Sequence, residues 1–157
     1  MNLRLATAAD IPAIRALEKG ADTAAHWSDE IYHNLFAPGG LRRILLVADN
    51  NNSISGFVVA TAVGDEWEIE NIAVERHLRR RGVASALIQN LVERAHAEGA
   101  HQIWLEVRQS NTPAREFYTK LGFIQIGRRV SYYQHPEEDA VCYRRNTDLF
   151  TSKSVRV

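Results

Sequence analysis

The hydrophobic period of this 157-residue chain lengthens once in its middle and then shortens again, and that change restricts the fold more than any other feature. From Ala84 the apolar positions Leu87, Ile88, Leu91, Val92 and Ala95 follow at offsets of three, four, seven, eight and eleven. That spacing is one face of an amphipathic helix, and Gly99 stands where its C-terminal cap belongs. Three β-rich runs precede it, over residues 44–48, 54–63 and 66–74, and another follows over 101–108. A helical stripe set between strands must bury itself against a sheet, so an α/β fold is expected.

Local signals fill in the remaining elements. Thr7 and Asp10 make a short-armed capping box ahead of Ile11, Ile14 and Leu17, which predicts a first helix from Thr7. Ser28 as N-cap, with Asp29 and Glu30 in the first turn, predicts a second helix over 28–36, ended by Pro38-Gly39-Gly40. The Asn50-Asn51-Asn52-Ser53 cluster and Gly64-Asp65 read as turns. Thr112 as cap, with Pro113 at the first helical position, predicts a short helix bearing Ala114, Phe117, Tyr118 and Leu121 and closed by Gly122. Final strands are expected over 123–130 and 140–145.

Composition sets limits. The 19 Lys+Arg balance 19 Asp+Glu, which speaks against a surface built to grip nucleic acid or an anionic membrane, so neither partner is expected. No run approaches the ~18 apolar residues of a membrane span. Cys142 is the one cysteine, so no internal disulfide is possible, and a cytoplasmic location is expected. A chain of this length buries roughly 68–70% of its unfolded surface. One domain is expected over 1–150, as a monomer or weak dimer, with a polar tail over 151–157. The six histidines show no metal-ligand spacing, so no metal is expected.

The chemistry concentrates where the third run meets the central helix. Val74 ends a strand; Arg79-Arg80-Arg81-Gly82-Val83-Ala84-Ser85 then turns into the helix. Unpaired N–H groups point outward at a helix N-terminus, where the dipole favours an anion. Gly82 and Ala84 remove side-chain bulk, so a diphosphate could come close to the backbone. Taken alone, the segment reads equally as a tight turn with three solvated arginines. Neither the G-x-x-x-x-G-K-[ST] loop nor the G-x-G-x-x-G fingerprint is present.

The pattern Arg79-x-x-Gly82-x-Ala84 resembles the pyrophosphate motif of the GCN5-related N-acetyltransferases. The strand Trp104-Leu105-Glu106-Val107-Arg108, followed by Asn111, Ala114, Phe117-Tyr118 and Leu121-Gly122-Phe123, is similar to that family's second motif. The resemblance implies the family's acyl-CoA N-acyltransferase fold, a mixed, mostly antiparallel sheet with helices on both faces, and acetyl-CoA as co-substrate. The cofactor would lie against Ile72, Ala73 and Val74, with its pyrophosphate on the N–H groups around 81–85. Asn111 would reach the pantetheine or phosphate region, and an arginine among Arg79, Arg80 and Arg81 could meet further phosphates.

Several segments are closer to the branch that acetylates ribosomal-protein alanine N-termini, the RimI type: Glu68 to Val74, Trp104 to Asn111, the Trp27-Ser28 pair, and Arg128-Arg129-Val130-Ser131-Tyr132-Tyr133 with Glu137-Glu138-Asp139-Ala140. That likeness implies a protein N-terminus as acceptor, that of a basic ribosomal protein, with Trp27, Tyr132 and Tyr133 contacting it. Val141 to Arg145 departs from the branch in being more polar. Glu66, Glu68 and Glu70 share one strand face, which reads either as solvated or as a groove attracting a basic peptide.

Only a neutral amine attacks a thioester. Reaching that form at pH 7 costs roughly 1 kcal/mol for an α-amino group and about 4.6 for lysine, from reference pKa values. Glu106 is the candidate base, through a water, in a cleft whose partial burial could raise its pKa. Period-two alternation puts Trp104, Glu106 and Arg108 on one face, so Arg108 could instead neutralise Glu106. The resemblance makes Tyr118 the general acid, against a plain core aromatic. Cys142 has no partner motif and reads as a buried structural thiol. Two other outcomes stay open: acetylation of a lysine side chain or small amine, and a non-catalytic acetyl-CoA-binding regulatory module.

Overall fold

The computed structural model describes residues 1–21, 24–25 and 27–148. In chain order the elements are β1 (Asn2–Leu5), α1 (Ile11–Lys19), α2 (Asp29–Asn34), β2 (Arg43–Asn50), β3 (Ser53–Val63), β4 (Glu66–Val74), α3 (Val83–Ala97), β5 (Gln102–Arg108), α4 (Thr112–Lys120), β6 (Ile124–Tyr133) and β7 (Glu138–Asn146). They build a seven-stranded sheet in the order β1-β2-β3-β4-β5-β7-β6. Every neighbouring pair is antiparallel except β4 and β5.

Strand alternation produces two cores, one on each face. Leu46, Val58 and Trp67 meet α3 through Leu87 and Leu91 and α4 through Tyr118. Val47, Phe57 and Val59 meet Ile14 of α1 and Tyr32 of α2 on the other face. Helices thus cover both faces, as the family resemblance implied. The asparagine turn forms its hairpin with Asn51 and Asn52 at φ +52° and +70°, the left-handed values that asparagine tolerates.

Three local readings change. β1 was not predicted: four residues are too few to show a period, and the strand exists by pairing with β2. Arg4 of β1 bridges Asp10 and Asp49, at 2.8 and 3.1 Å. Second, a short 3-10 turn over Ala8–Asp10 precedes α1, with the Thr7 N–H donating to Asp10 Oδ2 at 2.8 Å. Third, the cap of α4 is Asn111, not Thr112: its Oδ1 accepts the Ala114 N–H at 3.3 Å, and Pro113 follows inside the first turn. The expected tail over 151–157 lies outside the described residues, as does His26.

Two departures from regular pairing open the sheet. β4 pairs with β5 only through Glu66↔Gln102, Trp67↔Ile103 and Glu68↔Trp104. Beyond those three pairs the strands diverge. A bulge leaves Glu70 unmatched between the pairs Ala60↔Ile69 and Val59↔Asn71. Trp67 and Ile69 therefore face the α3 core, whereas Ala73 faces the α1 core.

Candidate active site

The divergence of β4 from β5 leaves a cavity of about 850 Å³. Its walls are Glu68 to Ile72 of β4, Leu105 to Arg108 of β5, Asn111 and Tyr118 at α4, Tyr132 and Tyr133 of β6, and Ala24, Ala25 and Trp27 between the first two helices. Glu106 and Tyr118 thus share one space, together with Trp27, Glu68, Glu70, Ile72 and Asn111. Glu66, the outermost of the three strand carboxylates, is exposed and not part of the wall. Ala73 and Val74 also lie outside it, their side chains packed into the two cores.

Burial in β5 alternates strictly, with Ile103, Leu105 and Val107 inside and Trp104, Glu106 and Arg108 on the open face. Glu106 is nevertheless well covered, its side chain 8% exposed, and its ion-pair partner is Arg129 of β6 at 2.8 Å. Arg108 does not neutralise it. That guanidinium donates to the carbonyls of Gln134 and Pro136, pairs with Glu138 at 3.3 Å, and lies 4.4 Å from the Tyr133 ring. It fastens the β6–β7 loop against β5. Glu138 also accepts the Ser110 N–H, and these donors hold its carboxyl below the usual range.

The three cavity carboxylates have different surroundings. Glu70 pairs with Arg43 at 3.1 Å, and Arg43 lies 5.5 Å from the Trp27 ring. Glu106 has Arg129. Glu68 has no ion pair within 4 Å among the described residues; burial, then Glu70 and Glu106, push its carboxyl upward, against an opposing pull from Arg129.

Tyr118 is buried, 6% exposed, its ring edge-on to Phe117 at 5.1 Å and to Phe123 at 5.4 Å. Burial pushes its phenol above the ordinary tyrosine value. Tyr133 is pushed up to about 12 by burial, with Glu106 and Tyr132 adding to it. A bulge in β6 lets Tyr132 and Tyr133 both reach the wall. Pairing jumps from Arg129↔Ala140 to Tyr133↔Glu138, and Ser131 at φ +52° gives its N–H to Asp139 at 2.9 Å.

The bend before α3 has the geometry an anion needs. Gly82 adopts φ +87°, a left-handed value that favours glycine, and a Cβ there would meet nothing within 4 Å. The first acceptor in α3 is the Gly82 carbonyl, taken by Ala86 at 3.0 Å. The N–H groups of Val83, Ala84 and Ser85 therefore have no partner inside the helix. Arg80 and Arg81 are exposed beside them. Arg79 is exposed too, but its guanidinium is tied down, donating to the Val74 carbonyl at 3.2 Å and to that of Gly20 at 3.4 Å, so it braces the bend.

Cys142 is a correction: it is half-buried and pairs in register with Glu106 across β5 and β7. Sequence reasoning also missed Arg129 as the partner of Glu106 and a buried cluster behind the β4 bulge. There Glu18, 4% exposed, accepts from Tyr32 Oη and from Asn71 Nδ2, while Asn71 Oδ1 accepts the Ala25 N–H at 3.1 Å. Asn71 thereby ties the cavity wall between α1 and α2 to β4. The signal available in the sequence was the position of Glu18, four residues after Ile14 and three before Ala21, on the apolar face of α1.

Comparison with known proteins matches this arrangement. The model of the acetyltransferase (GNAT) family fits residues 10–123. The [ribosomal protein bS18]-alanine N-acetyltransferase of Salmonella typhimurium is 33% identical over 134 residues, covering 84% of this chain and 88% of the relative. The crystal structure of the Escherichia coli ribosomal-protein-S18-alanine N-acetyltransferase superposes with a TM-score of 0.81 at 28% identity, over 94% of each chain. Ard1 from Thermoplasma volcanium superposes with a TM-score of 0.80 at 25% identity, over 92% of this chain and 96% of that one.

Proposed function

Because the chain belongs to the acetyltransferase (GNAT) family and is an N-acetyltransferase, we propose that its acceptor is the N-terminal α-amino group of a protein, of the ribosomal-protein alanine type, attacking acetyl-CoA directly in a ternary complex. One observation carries the reading. A single cavity holds a well-covered carboxylate, Glu106, and a buried phenol, Tyr118, and is bounded by the paired tyrosines Tyr132 and Tyr133. The names of the bS18-alanine relatives support the acceptor class.

The residues fit the donor. A pyrophosphate suits the free N–H groups of 83–85 beside Arg80 and Arg81, and the parted edges of β4 and β5 suit the amides of a pantetheine arm. Once bound, the donor supplies an activated acetyl group. Glu106 takes one proton from the acceptor ammonium through a water, and the neutral nitrogen attacks the thioester carbonyl. The C–N bond forms and the C–S bond breaks, and Tyr118 donates its proton to the departing sulfur. The second proton lost by nitrogen balances the one given by Tyr118. A modest base suffices because an α-amino group sits within about one pKa unit of neutrality, whereas lysine lies more than three away.

The test incubates the protein and acetyl-CoA with short peptides, free or blocked at the N-terminus, and with polyamines and aminoglycosides, while thiol release is followed. Release with free N-termini alone is expected. Equal release with blocked lysine peptides, or preference for a small amine, overturns the acceptor. Cofactor binding without release from any acceptor points to a regulatory module.

A further inference from the structure

Glu106 and Arg129 form an unequal pair. The carboxylate side chain is 8% exposed and the guanidinium side chain 54%. Arg129 does not lie opposite Glu106 in the sheet: it pairs with Ala140, whereas Glu106 pairs with Cys142, so the side chain reaches diagonally across β7. It sits at the edge of the cavity, touching two of its wall residues, Glu106 by the ion pair and Tyr132 by lying 5.4 Å from its ring. Arg43 and Arg108 are committed elsewhere, to Glu70 and to Glu138.

We propose that Arg129 is a displaceable counter-ion, standing at Glu106 in the way of the acceptor's ammonium group and its bridging water, and giving way to them when the acceptor enters. The inference rests on the acceptor assigned above and adds how the site admits it. A covered carboxylate must be paired, and the guanidinium meets that need in the free protein. Arginine is always charged, so it fills the position without competing for the proton that Glu106 must take. A partner more than half exposed is held weakly, which makes it replaceable. The Tyr132 ring, already at cation–π distance, receives the guanidinium when it leaves. A neutral acceptor offers Glu106 no replacement charge, so the exchange selects for cationic amines. Arg129 is therefore a positioning residue that acts through Glu106.

Arg129→Gln and Arg129→Lys are compared with the parent protein in steady-state acetylation of one free-N-terminus peptide, at low ionic strength and saturating acetyl-CoA. Loss of the competing cation is expected to lower the peptide KM of Arg129→Gln about two- to fivefold, the range that an exposed ion pair spans. The acetyl-CoA KM stays unchanged, and Arg129→Lys, which keeps the charge, stays near the parent. A peptide KM in Arg129→Gln equal to or above the parent's overturns the proposal, as does a Lys variant that behaves like Gln. A second readout needs no variant: the Nε–H resonance of Arg129, protected by the pair, is expected to vanish when peptide is added with CoA. Its persistence at saturation overturns the exchange. A parent protein that acetylates no N-terminus overturns the acceptor assignment and this inference together, whereas an active parent with an unmoved KM overturns this inference alone.

Discussion

A buried phenol holds its proton more tightly than an exposed one, because burial penalises the phenolate. Tyr118 is in that condition, so it keeps its proton, as the proposed acid role requires. Tyr118→Phe keeps the ring that packs on Phe117 and Phe123 and removes only the hydroxyl. Turnover is expected to fall about a hundredfold or more, with acetyl-CoA affinity by calorimetry within about twofold. Unchanged turnover would remove the acid role. Strand alternation placed Glu106 on the open face of its strand, whereas only the family resemblance singled out Tyr118, whose helical stripe read by itself as a core aromatic. The company of Glu106 was not legible in the sequence. Arg108 is its neighbour on the same strand face, yet the backbone carbonyls of the β6–β7 loop and Glu138 take that guanidinium.

Among the elements, the strand–bend–helix unit from β4 to α3 shows most directly how local chemistry prepares the proposed cofactor site. The cost of a side chain at Gly82 is conformational and not steric, since its Cβ would meet open space at φ +87°. The left-handed region costs a non-glycine residue roughly 1–2 kcal/mol. Gly82→Ala is therefore expected to weaken acetyl-CoA binding about five- to thirtyfold as the bend relaxes and its N–H groups turn away, measured by calorimetry. Affinity equal to the parent's would show that the bend does not hold the cofactor. This unit was readable from residues 74–95 because turn and helix signals are local. β1 was not, since it depends on a partner strand far along the chain. The α4 cap moved by one residue because Thr112 and Asn111 are both acceptable caps, and only the geometry of the turn chooses between them.

Across the whole molecule, stability against acid depends on carboxylates whose environments pull in opposite directions. Asp10 is held below the usual range chiefly by Arg4, against an upward push from burial that is larger than the further lowering by the Thr7 N–H. The folded state thus binds its proton less readily than the unfolded chain, so this stabilisation is full above the ordinary carboxylate range. It is lost as pH falls through the depressed folded value. Glu68 runs the other way: its folded carboxyl is raised, so its contribution diminishes as pH rises through that value. Asp10→Asn is expected to melt below the parent at neutral pH, with the two melting temperatures converging as the medium is acidified. Parallel curves at all pH values would show that the Arg4–Asp10 link does not govern acid stability.

By itself the sequence determined the helices, the hairpins, the strand faces and both motif segments, because period, capping and positive-φ turns are properties of residues close together in the chain. Only the tertiary structure decided that β4 leaves β5 after three pairs, that a bulge in β6 brings both Tyr132 and Tyr133 to one cavity, and that Arg129 rather than Arg108 meets Glu106. Those outcomes depend on sheet order and on the register of strands joined through long connections. A charged side chain pairs with whatever the packed sheet brings within reach.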